Sequence, residues 1–127
     1  MGSKKSHGPS ILLVDDSEEF IAAARILLRD YNVTWAKSAS EALAQLEKSI
    51  PDIMFIDLVM PRMSGLELMR IVNERYPTII MVALTGIDEE ETLDTCRGLG
   101  VNDYLIKGAL SSAELQEVID RLSKQHR

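Results

Sequence analysis

Four places in the chain set a reactive side chain directly after an apolar run. Asp15-Asp16 follows Ile11-Leu12-Leu13-Val14, and Asp57 follows Ile53-Met54-Phe55-Ile56. Thr85 follows the run 79–84, and Lys107 follows Tyr104-Leu105-Ile106. Each run is short and bounded by turn-forming residues, the pattern of a strand buried on both faces of a parallel sheet. In such a sheet all C-terminal strand ends share one edge, where ligands bind, so groups distant in sequence converge there. Any one acid alone reads as a turn former or helix cap; the four places together point to chemistry. Three carboxylates and one ammonium leave the site with a net negative charge that a divalent cation would neutralise. Hard oxygen ligands with open positions suit Mg²⁺. Without the ion, crowding should push at least one carboxylate pKa upward. Phosphoryl transfer asks a protein mainly for positioning and charge stabilisation. The expected roles follow. Asp57 is the nucleophile that attacks phosphorus in line, Mg²⁺ bridges a phosphoryl oxygen to Asp57 and Asp16, and Lys107 and the Thr85 hydroxyl hold the remaining oxygens.

The elements needed to position these groups are legible between them. Ser17 is a plausible helix N-cap with Glu18 and Glu19 behind it, and Phe20, Ala24 and Leu27 recur at helical spacing through Arg29. Val33-Thr34-Trp35-Ala36 alternates partly, as a less buried edge strand would. Ser38 and Glu41 have capping-box spacing, and Leu43, Leu46 and Ile50 continue an apolar stripe. Gly65 opens a third helix with Leu66, Leu68, Met69, Ile71 and Val72 on its broad apolar side, and Tyr76-Pro77 ends it. Asp88, Glu89, Glu90 and Glu91 open a fourth helix that Gly98 and Gly100 close; the acids read as dipole compensation rather than a metal site. Asp103 to Lys107 is a short fifth strand. Ser111 and Glu114 cap a last helix with Leu115, Val118, Ile119 and Leu122 inward. Five strands alternating with five helices predict an α/β fold, a parallel sheet covered on both faces by right-handed crossovers.

The totals fit one domain. The chain has 127 residues, 46% hydrophobic and 27% charged, with a net charge of −6. That balance disfavours non-specific binding to nucleic acid or to an anionic membrane. Cys96 is alone, so no internal disulfide forms, and a reducing compartment, the cytoplasm, is the expected setting. Residues 1–9 read as a disordered tail, natural or left by cloning, 10–124 as the domain and 125–127 as a C-terminal tail. The M-G-S-K-K-S start has the form of an N-myristoylation signal, but only two lysines support it, and a plain tail is expected. His7 and His126 have no partner ligands nearby in sequence.

The acid pair Asp15-Asp16, the segment Asp57-Leu58-Val59-Met60-Pro61 with Gly65, then Thr85-Gly86, Tyr104 and Lys107, resemble a receiver domain of the two-component response regulators. The resemblance covers Ile11 to Leu122. It implies a flavodoxin-like (βα)5 doubly wound sandwich with five parallel strands in order 2-1-3-4-5. It also implies that Asp57 is phosphorylated from a histidine kinase or histidine phosphotransfer protein, the domain promoting its own phosphorylation and dephosphorylation rather than acting as an enzyme on another substrate. Mg²⁺ would be held by Asp16, Asp57 and the Val59 backbone carbonyl, with Asp15 acting largely through bound water. Thr85 and Tyr104 would form the switch that reshapes the fourth helix, fifth strand and fifth helix for a downstream protein target or output domain.

One position departs from the family pattern: Gly108 follows Lys107 where proline, often cis, is usual. A cis bond before glycine would cost about 2.5–4 kcal/mol, so a trans bond is expected. Val59 and Ile87, each two residues beyond a site residue, are apolar and cannot orient a hydrolytic water; the acyl phosphate should therefore hydrolyse slowly. Three rivals fit less well. A haloacid-dehalogenase phosphatase needs a second acid where Val59 stands. A flavodoxin needs a first loop that welcomes phosphate, and Asp15-Asp16-Ser17-Glu18-Glu19 would repel it. An interaction module that has lost phosphorylation would have no need of the full set of site residues.

Overall fold

The computed structural model describes residues 8–86 and 90–125. The expected N-terminal tail lies largely outside these residues, as do His7, Ile87, Asp88, Glu89 and His126. Five strands are present: β1 Ser10–Val14, β2 Asn32–Ala36, β3 Ile53–Asp57, β4 Ile80–Thr85 and β5 Asp103–Ile106. They alternate with helices α1 Glu18–Leu27, α2 Ala39–Leu46, α3 Gly65–Arg75, α4 Glu90–Gly98 and α5 Ser112–Gln125. All neighbouring strands pair in parallel, in the order β2-β1-β3-β4-β5, as expected.

Alternation along the strands divides the core in two. Leu12, Val14, Met54, Ile56, Met81 and Ala83 meet α2, α3 and Cys96 of α4 on one face. Ile11, Leu13, Ile53, Phe55, Val82 and Leu84 meet α1 and α5 on the other. Covering both faces is why the central strands carry unbroken apolar runs: β3 and β4 are buried at every position, whereas the edge strand β2 is mostly exposed. The expected caps form. Ser17, Ser38 and Ser111 accept from the amides of Phe20, Glu41 and Glu114 at 3.1 Å each.

The apolar stripes of two helices differ from the expectation. In α1 the fully buried residues are Ile21 and Ala24, with Leu28 at its C-cap, and Phe20 and Leu27 flank them half-buried. The α2 helix ends at Leu46, and Ile50 beyond it is exposed. The fifth strand stops at Ile106, and Lys107 opens a short 3-10 helix, Lys107–Ala109. No cis peptide occurs among the described residues, in keeping with the trans bond expected before Gly108. No helix among them is long and apolar enough to cross a membrane.

Candidate functional site

The ends of β1, β3 and β5 bring the predicted carboxylates and lysine together. One carboxylate oxygen from each of Asp15, Asp16 and Asp57 falls within 4.8 Å of the others. The three differ in environment: Asp15 and Asp57 are buried, while Asp16 is exposed. Asp15 is fixed from several sides. Its amide donates to the Ala36 carbonyl at 3.1 Å, and its Oδ1 accepts from the Ser17 amide at 2.9 Å. Its Oδ2 is buried and takes no directed hydrogen bond; its neighbour is the Lys107 ammonium at 2.8 Å.

Lys107 reaches both buried acids, standing 3.7 Å from Asp57 Oδ1. Its Nζ also lies over the Phe20 ring, 4.6 Å from the centroid. A cation held against an aromatic face gains electrostatic attraction and loses freedom, so α1 helps to aim the lysine. This role of Phe20 was not foreseen from sequence, where the residue is one of an apolar series; only a tertiary contact reveals it.

Asp57 carries the strongest electrostatic signature. Burial pushes its carboxyl up to about 6, and the Asp15 charge pushes the same way. Lys107 and a backbone hydrogen bond from Val59 pull it down, and Asp16 adds a smaller upward push. Burial is the larger cause, and the crowding of like charges adds to it. The loop after Asp57 is held close: the Gly65 amide donates to the Leu58 carbonyl at 3.0 Å. A Cβ at Gly65 would run into the Asp57 carbonyl and come within 2.9 Å of Leu58 Cα. Glycine is required there for close approach. Arg62, in the same loop, adopts a left-handed φ of 69°.

Thr85 is buried at the end of β4 and paired in register with Ile106, the residue before Lys107. Tyr104 is half-buried, opposite Ala83 in the β4–β5 ladder. It borders a cavity of about 70 Å³ shared with Leu93, Cys96 and Val101. Val59 is 80% exposed beside the acid cluster. A donor set made only of carboxylate oxygens from Asp15, Asp16 and Asp57 fits a hard divalent cation such as Mg²⁺.

Comparison with known proteins agrees with this geometry. The family model for the response regulator receiver domain matches residues 11–120. A 14.6 kDa protein of Leptolyngbya boryana is 39% identical over 76% of this chain and 77% of its own length. The CAI-1 autoinducer sensor kinase/phosphatase CqsS of Vibrio cholerae is 32% identical over 91% of this chain, which spans only 18% of that protein. The transcriptional regulatory protein ZraR of Salmonella typhimurium is 33% identical over 87% of this chain and 25% of its own length. Among solved structures, the Vibrio cholerae chemotaxis protein CheY4 superposes with a TM-score of 0.84 at 27% identity, covering 90% of this chain and 98% of CheY4. With the fold, the acid cluster and these relatives in agreement, the chain belongs to the response regulator receiver domain family.

Proposed function

We propose that this domain accepts a phosphoryl group on Asp57 from the phosphohistidine of a histidine kinase or histidine phosphotransfer protein, and passes the signal on by a change of surface. The observation that carries this reading is the placement of Asp57, buried at a strand end between two acids and the Lys107 ammonium. A carboxylate whose proton affinity is raised by burial is a better nucleophile than a free one. One Asp57 oxygen bonds to phosphorus as the bond from phosphorus to the donor imidazole nitrogen breaks. The electron pair returns to the ring, which then takes up a proton.

Asp16, Asp57 and the Val59 carbonyl would hold Mg²⁺, with Asp15 acting through water; the ion supplies charge neutralisation for the crowded carboxylates and the phosphoryl oxygens. Lys107 meets a phosphoryl oxygen once it turns from Asp15. Its short path, from 2.8 Å at one acid to 3.7 Å at the other, supports that exchange. Thr85 stands on the strand beside Asp57 and is assigned the remaining oxygen. The cavity next to Tyr104 gives that ring somewhere to move, so α4, β5 and α5 are the proposed output surface toward a target protein or output domain. The proposed setting is the cytoplasm, where donor kinases present phosphohistidine.

Mass spectrometry after incubation with acetyl phosphate and Mg²⁺ tests the assignment. Wild type should gain one phosphate mass, and Asp57→Ala should gain none. Equal labelling of the two would place the acceptor elsewhere.

A further inference from the structure

A groove of about 670 Å³ runs between the outer face of α1 and the exposed edge of the sheet at β2, away from Asp57. Arg25, Ile26 and Arg29 of α1 and its C-terminal turn form one wall, and Val33 and Trp35 form the other. Ile26 is 63% exposed and Trp35 39%, both large apolar side chains. No acidic side chain lines the groove. Arg70, Arg97 and Arg121 all pair with carboxylates on their own or a neighbouring element. Like Arg62 and Arg75, Arg25 and Arg29 make no ion pair among the described residues, and these two share one groove on a chain of net charge −6; Arg29 donates only to the Ile26 carbonyl, at 3.4 Å. Arg25 instead lies over the Trp35 ring, 3.7 Å from its centroid.

The backbone of β2 points the same way. The Asp15 amide donates to the Ala36 carbonyl, so Ala36, and by alternation Thr34 and Asn32, turn their peptide groups toward β1. Val33 and Trp35 therefore direct theirs outward. The Trp35 carbonyl is already satisfied by Gln45 Nε2 at 2.7 Å. The Val33 N–H and C=O and the Trp35 N–H remain as the outward row of an edge strand, a template for one further strand.

We propose that this groove docks an extended acidic segment of a partner protein, added as a strand beside β2. Its carboxylates pair with Arg25 and Arg29, and an apolar side chain lies against Ile26 and Trp35. Charge complementarity selects the occupant: two guanidiniums without carboxylate partners in a groove that no acid lines favour a carboxylate-rich strand and repel a basic one.

The test uses the full chain and a fluorescein-labelled ten-residue peptide repeating Glu-Ser-Val-Ser, which sets glutamate and valine on the same face of a strand, with a peptide carrying lysine in place of glutamate as control. Fluorescence anisotropy should report saturable binding of the acidic peptide only, weakened by added salt. In ¹⁵N-resolved NMR, the amides of Val33 and Trp35 should shift. Arg25→Gln with Arg29→Gln should weaken binding about tenfold or more. Val33→Pro removes an outward-facing donor and trims a half-buried side chain, a change edge strands tolerate, and should also weaken binding while thermal melts stay cooperative. Several outcomes would overturn the proposal: no saturable binding at millimolar peptide, equal binding of the lysine peptide, or indifference to either variant. A wild-type dimer in sedimentation equilibrium that the double arginine variant disperses would make a second copy the occupant and overturn it too.

Discussion

At the scale of single residues, Asp57 links stability to its own chemistry. Its folded pKa is raised from 3.8 to about 6, so the folded state binds this proton more tightly than the unfolded chain does. The sign follows from linkage. Above pH 6 the buried charge is a penalty on folding, and as pH falls from 6 toward 4 the penalty is relieved. Two pKa units correspond to about 3 kcal/mol at most. Urea melts in EDTA should therefore show Asp57→Asn more stable than wild type at pH 8, with the gap closing by pH 4.5. Mg²⁺ should narrow the same gap at pH 8, because the ion offsets the repulsion directly. A pH-independent gap would remove the electrostatic explanation. Two residues on, Val59 presents an exposed isopropyl group beside the acid cluster, with nothing to orient an attacking water. Val59→Asn supplies an amide there and should shorten the lifetime of the Asp57 phosphate several-fold, measured by the decay of the phosphorylated mass. An unchanged or longer lifetime would count against that role. The acids, Thr85 and Lys107 were readable in sequence because each ends an apolar run, and a parallel sheet gathers such ends. Phe20 beneath Lys107 was not, since its contact joins residues 87 positions apart through tertiary packing alone.

At the scale of elements, the strands were easier to read than the helix faces. An unbroken run such as Ile53-Met54-Phe55-Ile56 admits little but a strand buried on both sides. A helical stripe, by contrast, can rotate by one residue without changing its composition. The α1 stripe did so: Ile21 and Leu28 are buried where Phe20 and Leu27 were expected to lead. Ile50 looked like one more turn of α2, but the helix ends at Leu46 and leaves Ile50 more than half exposed. Two glycines on the loops that carry the site show how placement decides tolerance. At Gly65 a methyl group would meet the backbone of Asp57 and Leu58, and these atoms cannot yield without moving Asp57. At Gly108, inside the 3-10 turn after β5, a Cβ would meet nothing within 4 Å, and the backbone φ is not left-handed. Gly65→Ala should destabilise by about 1–3 kcal/mol, as overpacking does, and slow phosphorylation by acetyl phosphate. Gly108→Ala should stabilise by about 0.4–1 kcal/mol through the unfolded chain and leave labelling unchanged. Denaturant midpoints and initial labelling rates on the two variants separate the cases. Equal effects would mean that neither loop is held as described.

At the scale of the whole molecule, the proposed signal must pass from the Asp57 edge to a helix on the sheet's flank. Among the described residues of α4, only Leu93 and Cys96 are buried, so few apolar contacts hold the helix to the sheet. Elements held this way lie at the low end of local stability. Tyr104 of β5 is half-buried against the core cluster that includes Cys96 of α4, and it lines the small cavity that Leu93 and Cys96 share. If phosphorylation draws Thr85 toward Asp57 and the Tyr104 ring inward, the ring fills space beside the Cys96 sulfur. Cys96 is then a built-in reporter. Cys96 is buried, and that burial raises its thiol pKa, opposed weakly by Arg97, so it should react slowly with a disulfide reagent. Wild type should label slowly, and acetyl phosphate with Mg²⁺ should slow it a further several-fold by closing the cavity. Asp57→Ala should show the slow unphosphorylated rate under both conditions. Tyr104→Ala, which cannot fill the space, should accept the phosphate yet lose the protection. Were wild-type labelling indifferent to phosphorylation, the signal would have to leave Asp57 by a route that bypasses Tyr104 and α4.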